Sequence, residues 1–113
     1  RVTLNTSTFS RVTGGSGNDI LRSINSISQA RLSGNDGNDQ LFGTLSDSLF
    51  GQNGNDLMVG GRLLIGGEGN DVMKGLDGND TMDGGNGLDN LDGGAGFDDL
   101  CDNAEVTVNC EAF

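Results

Sequence analysis

Between Gly66 and Cys101 the chain repeats itself. Four nine-residue blocks, GGEGNDVMK, GLDGNDTMD, GGNGLDNLD and GGAGFDDLC, abut without a gap. Glycine holds the first and fourth positions of each block, aspartate the sixth, and one large apolar residue the eighth: Met73, Met82, Leu91 and Leu100. A chain built this way stacks copies of one short unit, and the chemistry of that unit limits what the stack can be.

The first six residues form a turn in which glycine lets the backbone take positive φ and point several carbonyl oxygens inward. The closing aspartate adds a carboxylate. A hard cation such as Ca²⁺ takes six to eight oxygens from carboxylates and carbonyls, more than one such turn offers but within reach of two stacked turns. The remaining three residues make a very short strand with its middle side chain turned inward.

These blocks resemble the nonapeptide G-G-x-G-x-D-x-U-x of the repeats-in-toxin (RTX) family, a calcium-binding parallel β-helix repeat. The resemblance implies an all-β, right-handed parallel β-roll with turns on both edges and Ca²⁺ between successive turns.

Composition agrees with such a solenoid. With 33% apolar and 4% aromatic residues, 21 Gly and no Pro, Trp or Tyr, the chain is too lean for an ordinary globular core. A net charge of −11 is the mark of a solvated, disordered chain, yet the aspartates stand in phase with glycine and not in scattered runs.

The apolar eighth position serves as a ruler along the chain. Residues 1–13 lack Gly, are rich in β-branched side chains and read as one or two strands opening the roll, ending inward at Val12. GGSGNDILR is a full block with Leu21 inward, and SINSISQARLS a Gly-free half-turn with Leu32 inward. GNDGNDQLF follows with Asn35 at the second glycine position and Leu41 inward, then the shortened GTLSDSLF with Leu49. GQNGNDLMV places Met58 inward and the shortcut GGRLLI places Leu64. The expected domain is one roll of about five to six turns, with 1–13 as N-terminal strand, 14–101 as repeats and 102–113 as a C-terminal cap.

Because a roll alternates between two sheets, alternate inward residues share a face. Leu21, Leu41, Met58, Met73 and Leu91 belong to one; Val12, Leu32, Leu49, Leu64, Met82 and Leu100 belong to the other. Every loop leading into the first face is complete (Gly14, Gly34, Gly51, Gly66, Gly84), whereas on the second edge only those at Gly75 and Gly93 are. Asp19, Asp39, Asp56, Asp71 and Asp89 are the expected carboxylate ligands on the first edge, with Asp80 and Asp98 on the second. Backbone carbonyls of the loops complete the shells, among them those of Gly15, Gly17, Gly37, Gly54, Gly69, Gly78, Gly87 and Gly96. Ions between adjacent complete loops number about five, and their charge nearly cancels the formal −11. Asp36 and Asp77 are expected to face solvent, and Asp47, in a shortened loop, to hydrogen-bond within its turn.

Without metal, carboxylates stacked about 4.8 Å apart repel, and one inward side chain per half-turn gives little burial to offset chain entropy. Folding driven by calcium is therefore expected, and RTX modules are generally exported and fold outside the cell. Cys101 and Cys110 flank EVTV, which reads as a final strand; a disulfide between them would pin it across the last turn, the alternative being two free buried thiols. The chain begins at Arg1 without an initiating Met or signal peptide and has no transmembrane stretch, as expected of a processed product or an excised domain.

The outward positions include Ile20, Phe42, Leu57, Val59 and Val72 on the first face and Phe50, Leu63 and Ile65 on the second. Such patches mark a surface for self-association or a neighbouring domain, unless loops or the N-terminal segment fold over them. Asn18, Asn38, Asn55 and Asn70 recur at one loop position and resemble the rows of calcium-dependent ice-binding solenoids, although no Thr accompanies them. The chain has no His, no nucleophile elbow and no phosphate loop, so a non-enzymatic calcium-dependent structural or binding module is expected. The alternatives are an ice- or polysaccharide-binding surface, or the calcium-binding tail of a larger secreted enzyme. The acidic surface disfavours nucleic acid.

Overall fold

The structure, a computed structural model, describes residues 2–4, 10–24, 29–96 and 98–110. Among these lie thirteen strands and no helix: β1 (Val2–Leu4), β2 (Ser10–Gly15), β3 (Ile20–Ser23), β4 (Ala30–Asp36), β5 (Gln40–Phe42), β6 (Ser48–Asn53), β7 (Leu57–Val59), β8 (Leu63–Glu68), β9 (Val72–Lys74), β10 (Thr81–Asn86), β11 (Asn90–Asp92), β12 (Leu100–Asp102) and β13 (Val106–Val108). The odd-numbered strands form a seven-stranded sheet and the even-numbered ones a six-stranded sheet, each in sequence order. The pairings are parallel, as in β5 with β7 and β6 with β8, so each half-turn of chain crosses to the other sheet and lands beside its predecessor. The result is a β-solenoid of about five turns.

The register carries the inward residues in two files. Leu21, Leu41, Met58, Met73 and Leu91 pair across the first sheet. Val12, Leu32, Leu49, Leu64, Met82 and Cys101 pair across the second. The nine Leu and Met residues of these files are at most 1% exposed. Alternation of period two explains the pattern, because a three-residue strand such as β5 or β7 turns only its middle side chain inward. In its thinnest direction the Cα trace extends 14 Å, room for two sheets about 10 Å apart and one layer of side chains between them. Truncating any member, Leu64→Ala for example, costs about 2–5 kcal/mol, because the file has no second layer to collapse into the gap.

One inward position differs from the expected one. Met82 pairs with Cys101, and Leu100 lies opposite the exposed Thr81, turned outward and only partly buried. The loop that begins at Gly93 is one residue longer than the loop at Gly75, and a one-residue slip moves each following side chain to the opposite face. Cys101, 8% exposed, thus ends the core file and is joined to Cys110 with a Cα separation of 5.8 Å. The bridge ties β13 down against β11, as the expected capping strand requires, and closing a loop of this size stabilises by about 2–3 kcal/mol.

The outward apolar residues Ile20, Phe42, Leu57, Val59, Phe50, Leu63 and Ile65 are half-buried and Val72 is exposed. Arginines cover part of them: Arg22 stands 4.8 Å from the Phe42 ring centroid on one face, and Arg31 4.0 Å from that of Phe50 on the other. Residues 25–28 of the Gly-free half-turn 23–33 and residues 5–9 of the N-terminal segment lie outside the described residues.

Candidate metal centre

On the first edge, loops 14–19, 34–39, 51–56, 66–71 and 84–89 carry the chain from the second sheet to the first. The fourth position of the loop has to be glycine. Gly54 has φ 117°, and a side chain there would drive into the Gly37 carbonyl of the preceding turn. The second position is less strict, since Asn35 and Gln52 hold φ of 72° and 77°.

The closing aspartates form a ladder. The Asp19 N–H donates to Asp39 Oδ1 at 2.7 Å; in the same way Asp39 donates to Asp56, Asp56 to Asp71, and Asp71 to Asp89, each at 2.8 Å. Backbone bonds run beside them, from Leu57 N–H to the Asp39 carbonyl and from Val72 N–H to that of Asp56. One carboxylate oxygen per turn is thereby engaged, and the ladder sets the register of the edge. On the second edge such a step runs from Asp80 N–H to Asp99 Oδ1 at 2.8 Å.

The other oxygen is the unusual one. Oδ2 of Asp39, Asp56, Asp71, Asp80 and Asp89 is buried with no hydrogen-bond partner. Each points at the α-carbon of the first glycine of its own loop, joined for Asp56, Asp71, Asp80 and Asp89 by a carbonyl oxygen from the next turn. A methyl on Gly66 would stand 2.6 Å from the Gly84 carbonyl oxygen and closer still to Asp71 Oδ2. On Gly51 it would meet Gly66 O at 2.8 Å beside Asp56 Oδ2, and on Gly75 it would meet Gly93 O at 2.7 Å beside Asp80 Oδ2. Glycine keeps these cradles open, and a buried, unbonded carboxylate oxygen costs free energy unless something positive meets it.

Burial accordingly holds these carboxyls above their ordinary range. Asp56 is pushed up to about 6 by desolvation and the Asp39 charge, against a hydrogen bond from Asp39 that lowers it. Asp71 rises to about 7 by desolvation and the charges of Asp56 and Asp89, and Asp80 to about 7 by desolvation and the charges of Asp99 and Asp77. Asp39 and Asp89 are raised by the same leading cause. Among the described residues no three His, Cys, Asp or Glu side chains gather as a metal cluster. The donors that the cradles at Gly51, Gly66, Gly75 and Gly84 bring together are a carboxylate oxygen and a carbonyl oxygen of the next turn, all oxygen, which suits a hard divalent cation of flexible coordination.

Of the residues singled out from sequence, Asp19, Asp39, Asp56, Asp71 and Asp89 stand in one file, and Asp80 faces the second edge. Asp98 does not join it. It is exposed, and the buried ladder position belongs to Asp99, 2% exposed, in consequence of the same one-residue slip. Gly15, Gly17, Gly37, Gly54, Gly69, Gly78 and Gly87 all take positive φ, and Gly96 packs against the Gly78 carbonyl. Asp36 and Asp77 are exposed. Asp47 is fully buried, with Oδ1 accepting from Ala30 N–H and Oδ2 from Thr44 N–H and Oγ1, so both oxygens are engaged. The asparagine row also has a structural basis: Oδ1 of Asn18, Asn38, Asn55 and Asn70 accepts the N–H of the next turn at 2.8–2.9 Å. Glu105, unremarked in the sequence, ends the aspartate ladder by accepting the Asp89 N–H at 2.7 Å.

The model of the RTX calcium-binding nonapeptide repeat matches the chain in four copies, at residues 10–23, 31–45, 46–62 and 65–100. No curated protein and no solved structure gives a significant match. The four copies take in most of the chain and all of its complete loops, so this protein belongs to the RTX calcium-binding repeat family.

Proposed function

We propose that the protein is a secreted, non-catalytic structural or binding module whose folding is driven by calcium. The observation that carries the reading is the row of buried Oδ2 atoms without partners, those of Asp56, Asp71, Asp80 and Asp89 each beside a carbonyl of the next turn. Ca²⁺ supplies the positive charge that these oxygens lack. Asp39, Asp56, Asp71 and Asp89 with Asp19 hold about four ions on the first edge, and Asp80 with Asp99 one on the second. Carbonyls of the loop glycines fill the shells. The disulfide suits an oxidising compartment, where calcium is plentiful. Limited proteolysis tests the reading: with calcium the repeats resist cleavage, and in chelator they are cut throughout. Equal resistance in both would remove calcium from the folding account.

The raised carboxyls give a pH dependence whose sign is fixed. A group that binds protons more tightly folded than unfolded stabilises the fold as pH falls below its folded value. In chelator, therefore, β content increases as pH drops from about 7 toward the unfolded value of 3.8, and above about 7 it levels off at its lowest value. Protons and calcium compete for the same oxygens but both bind the folded chain, so less calcium is needed for half-folding at pH about 5.5 than at pH about 8. Circular dichroism at both pH values, with chelator and with graded calcium, checks both signs. β content that rises with pH in chelator would contradict them.

A further inference from the structure

The C-terminal cap imitates a repeat loop. Loops on the first edge run six residues from the first glycine to the aspartate, whereas the cap covers the same path in three, Asn103–Ala104–Glu105. Asn103 stands where the next first glycine would be. Its φ is 50°, its carbonyl oxygen lies over the α-carbon of Gly84 as the Gly84 carbonyl lies over Gly66, and its Nδ2 donates to Asp83 Oδ1 at 2.9 Å. Glu105 stands where the aspartate would be and accepts the Asp89 N–H through Oε2, its extra methylene spanning what the shortened loop lacks. Asp89, the residue beneath, is 1% exposed, and its Oδ2 has no partner; a methyl on Gly84 would meet it at 2.6 Å, with the Asn103 carbonyl nearer still.

We infer that Asp89 Oδ2, the Asn103 carbonyl and the Glu105 carboxylate form a further site for a divalent cation at the C-terminal end of the first edge. This rests on the calcium reading above and extends it to residues outside the nonapeptide motif. The cap then does more than cover the last turn, because the acceptor that fixes β13 in register is also a ligand. The disulfide from Cys101 to Cys110 encloses Asn103 and Glu105 and holds both over Asp89.

The test compares the full chain with Glu105→Gln by calorimetric titration with Ca²⁺, using Glu68→Gln as the control of equal charge change. Glu68 lies on the same edge and is exposed as Glu105 is, but it bonds the Asn86 side-chain amide and not the amide of a ladder aspartate. Glutamine at 105 keeps an acceptor for the Asp89 N–H and removes the charge. The expected result is one ion fewer for Glu105→Gln and no change for Glu68→Gln. An unchanged count for Glu105→Gln overturns the inference while leaving the interior sites standing, whereas failure of the wild type to bind any calcium overturns the underlying reading instead. Should the variant not fold, anomalous scattering from wild-type crystals grown in calcium decides. A peak about 2.4 Å from a Glu105 oxygen supports the site, and none there overturns it.

Discussion

Withdrawal of calcium should expand the chain almost threefold. The folded Cα radius of gyration is 12.6 Å, and an unfolded chain of 113 residues has one of about 34 Å. The expectation follows from how little else holds the solenoid. Each half-turn buries one side chain in a single-layer core, while five aspartate oxygens lie buried without partners along the edges. Neighbouring carboxylates repel through a medium less polar than water, and their raised pKa values express the cost of keeping them charged there. On the proposed calcium reading, the ions turn that cost into ligand binding, and the metal contributes folding free energy directly. Small-angle scattering in chelator and in millimolar calcium measures the change; a radius near 13 Å in both would mean that packing and the disulfide suffice.

The second large effect belongs to Asp71, which sits mid-ladder between Asp56 and Asp89 and so faces two inter-turn sites. Asp71→Asn keeps the oxygen that accepts the Asp56 N–H and converts the unpartnered Oδ2 into an amide donor beside the Gly84 carbonyl. Two opposite consequences follow. Calcium binding loses about two ions, and half-folding needs at least about tenfold more calcium, the lower range for disturbing even a residue behind a metal ligand. In chelator, the variant is more β-structured than the wild type, since a buried carboxyl pushed up to about 7 is replaced by a neutral group with a hydrogen-bond partner. Ion counting and circular dichroism read the two effects separately. A variant that binds as many ions as the wild type would detach Asp71 from the metal.

Where the repeat is regular, its spacing was enough to place the chain. Leu41, Met58 and Met73 are inward because each occupies the middle of a three-residue strand, and the alternation of complete and shortened loops sorts the two edges without reference to coordinates. The misplacements gather at the C-terminal end, where the repeat decays. Asp98 and Asp99 are adjacent, and the nine-residue count selects the first; the amide of Asp80 selects the second, shifting Leu100 outward and Cys101 inward. The cap was legible only in part. EVTV has the composition of a strand, but nothing in the glycine-free run 101–110 shows that Asn103 and Asn109 take left-handed backbone, or that Glu105 reaches an aspartate position three residues early. Those roles depend on what the preceding turn presents, which is a property of the stack and not of the local sequence.

On the proposed reading, calcium binding and folding are one event. Calorimetric titration of the chelated protein with calcium, followed in parallel by far-ultraviolet circular dichroism, addresses it directly. The expected result is uptake of about five to six ions per chain with a coil-to-β transition over the same calcium range. A full β signal in chelator, unchanged as calcium is added, would contradict it.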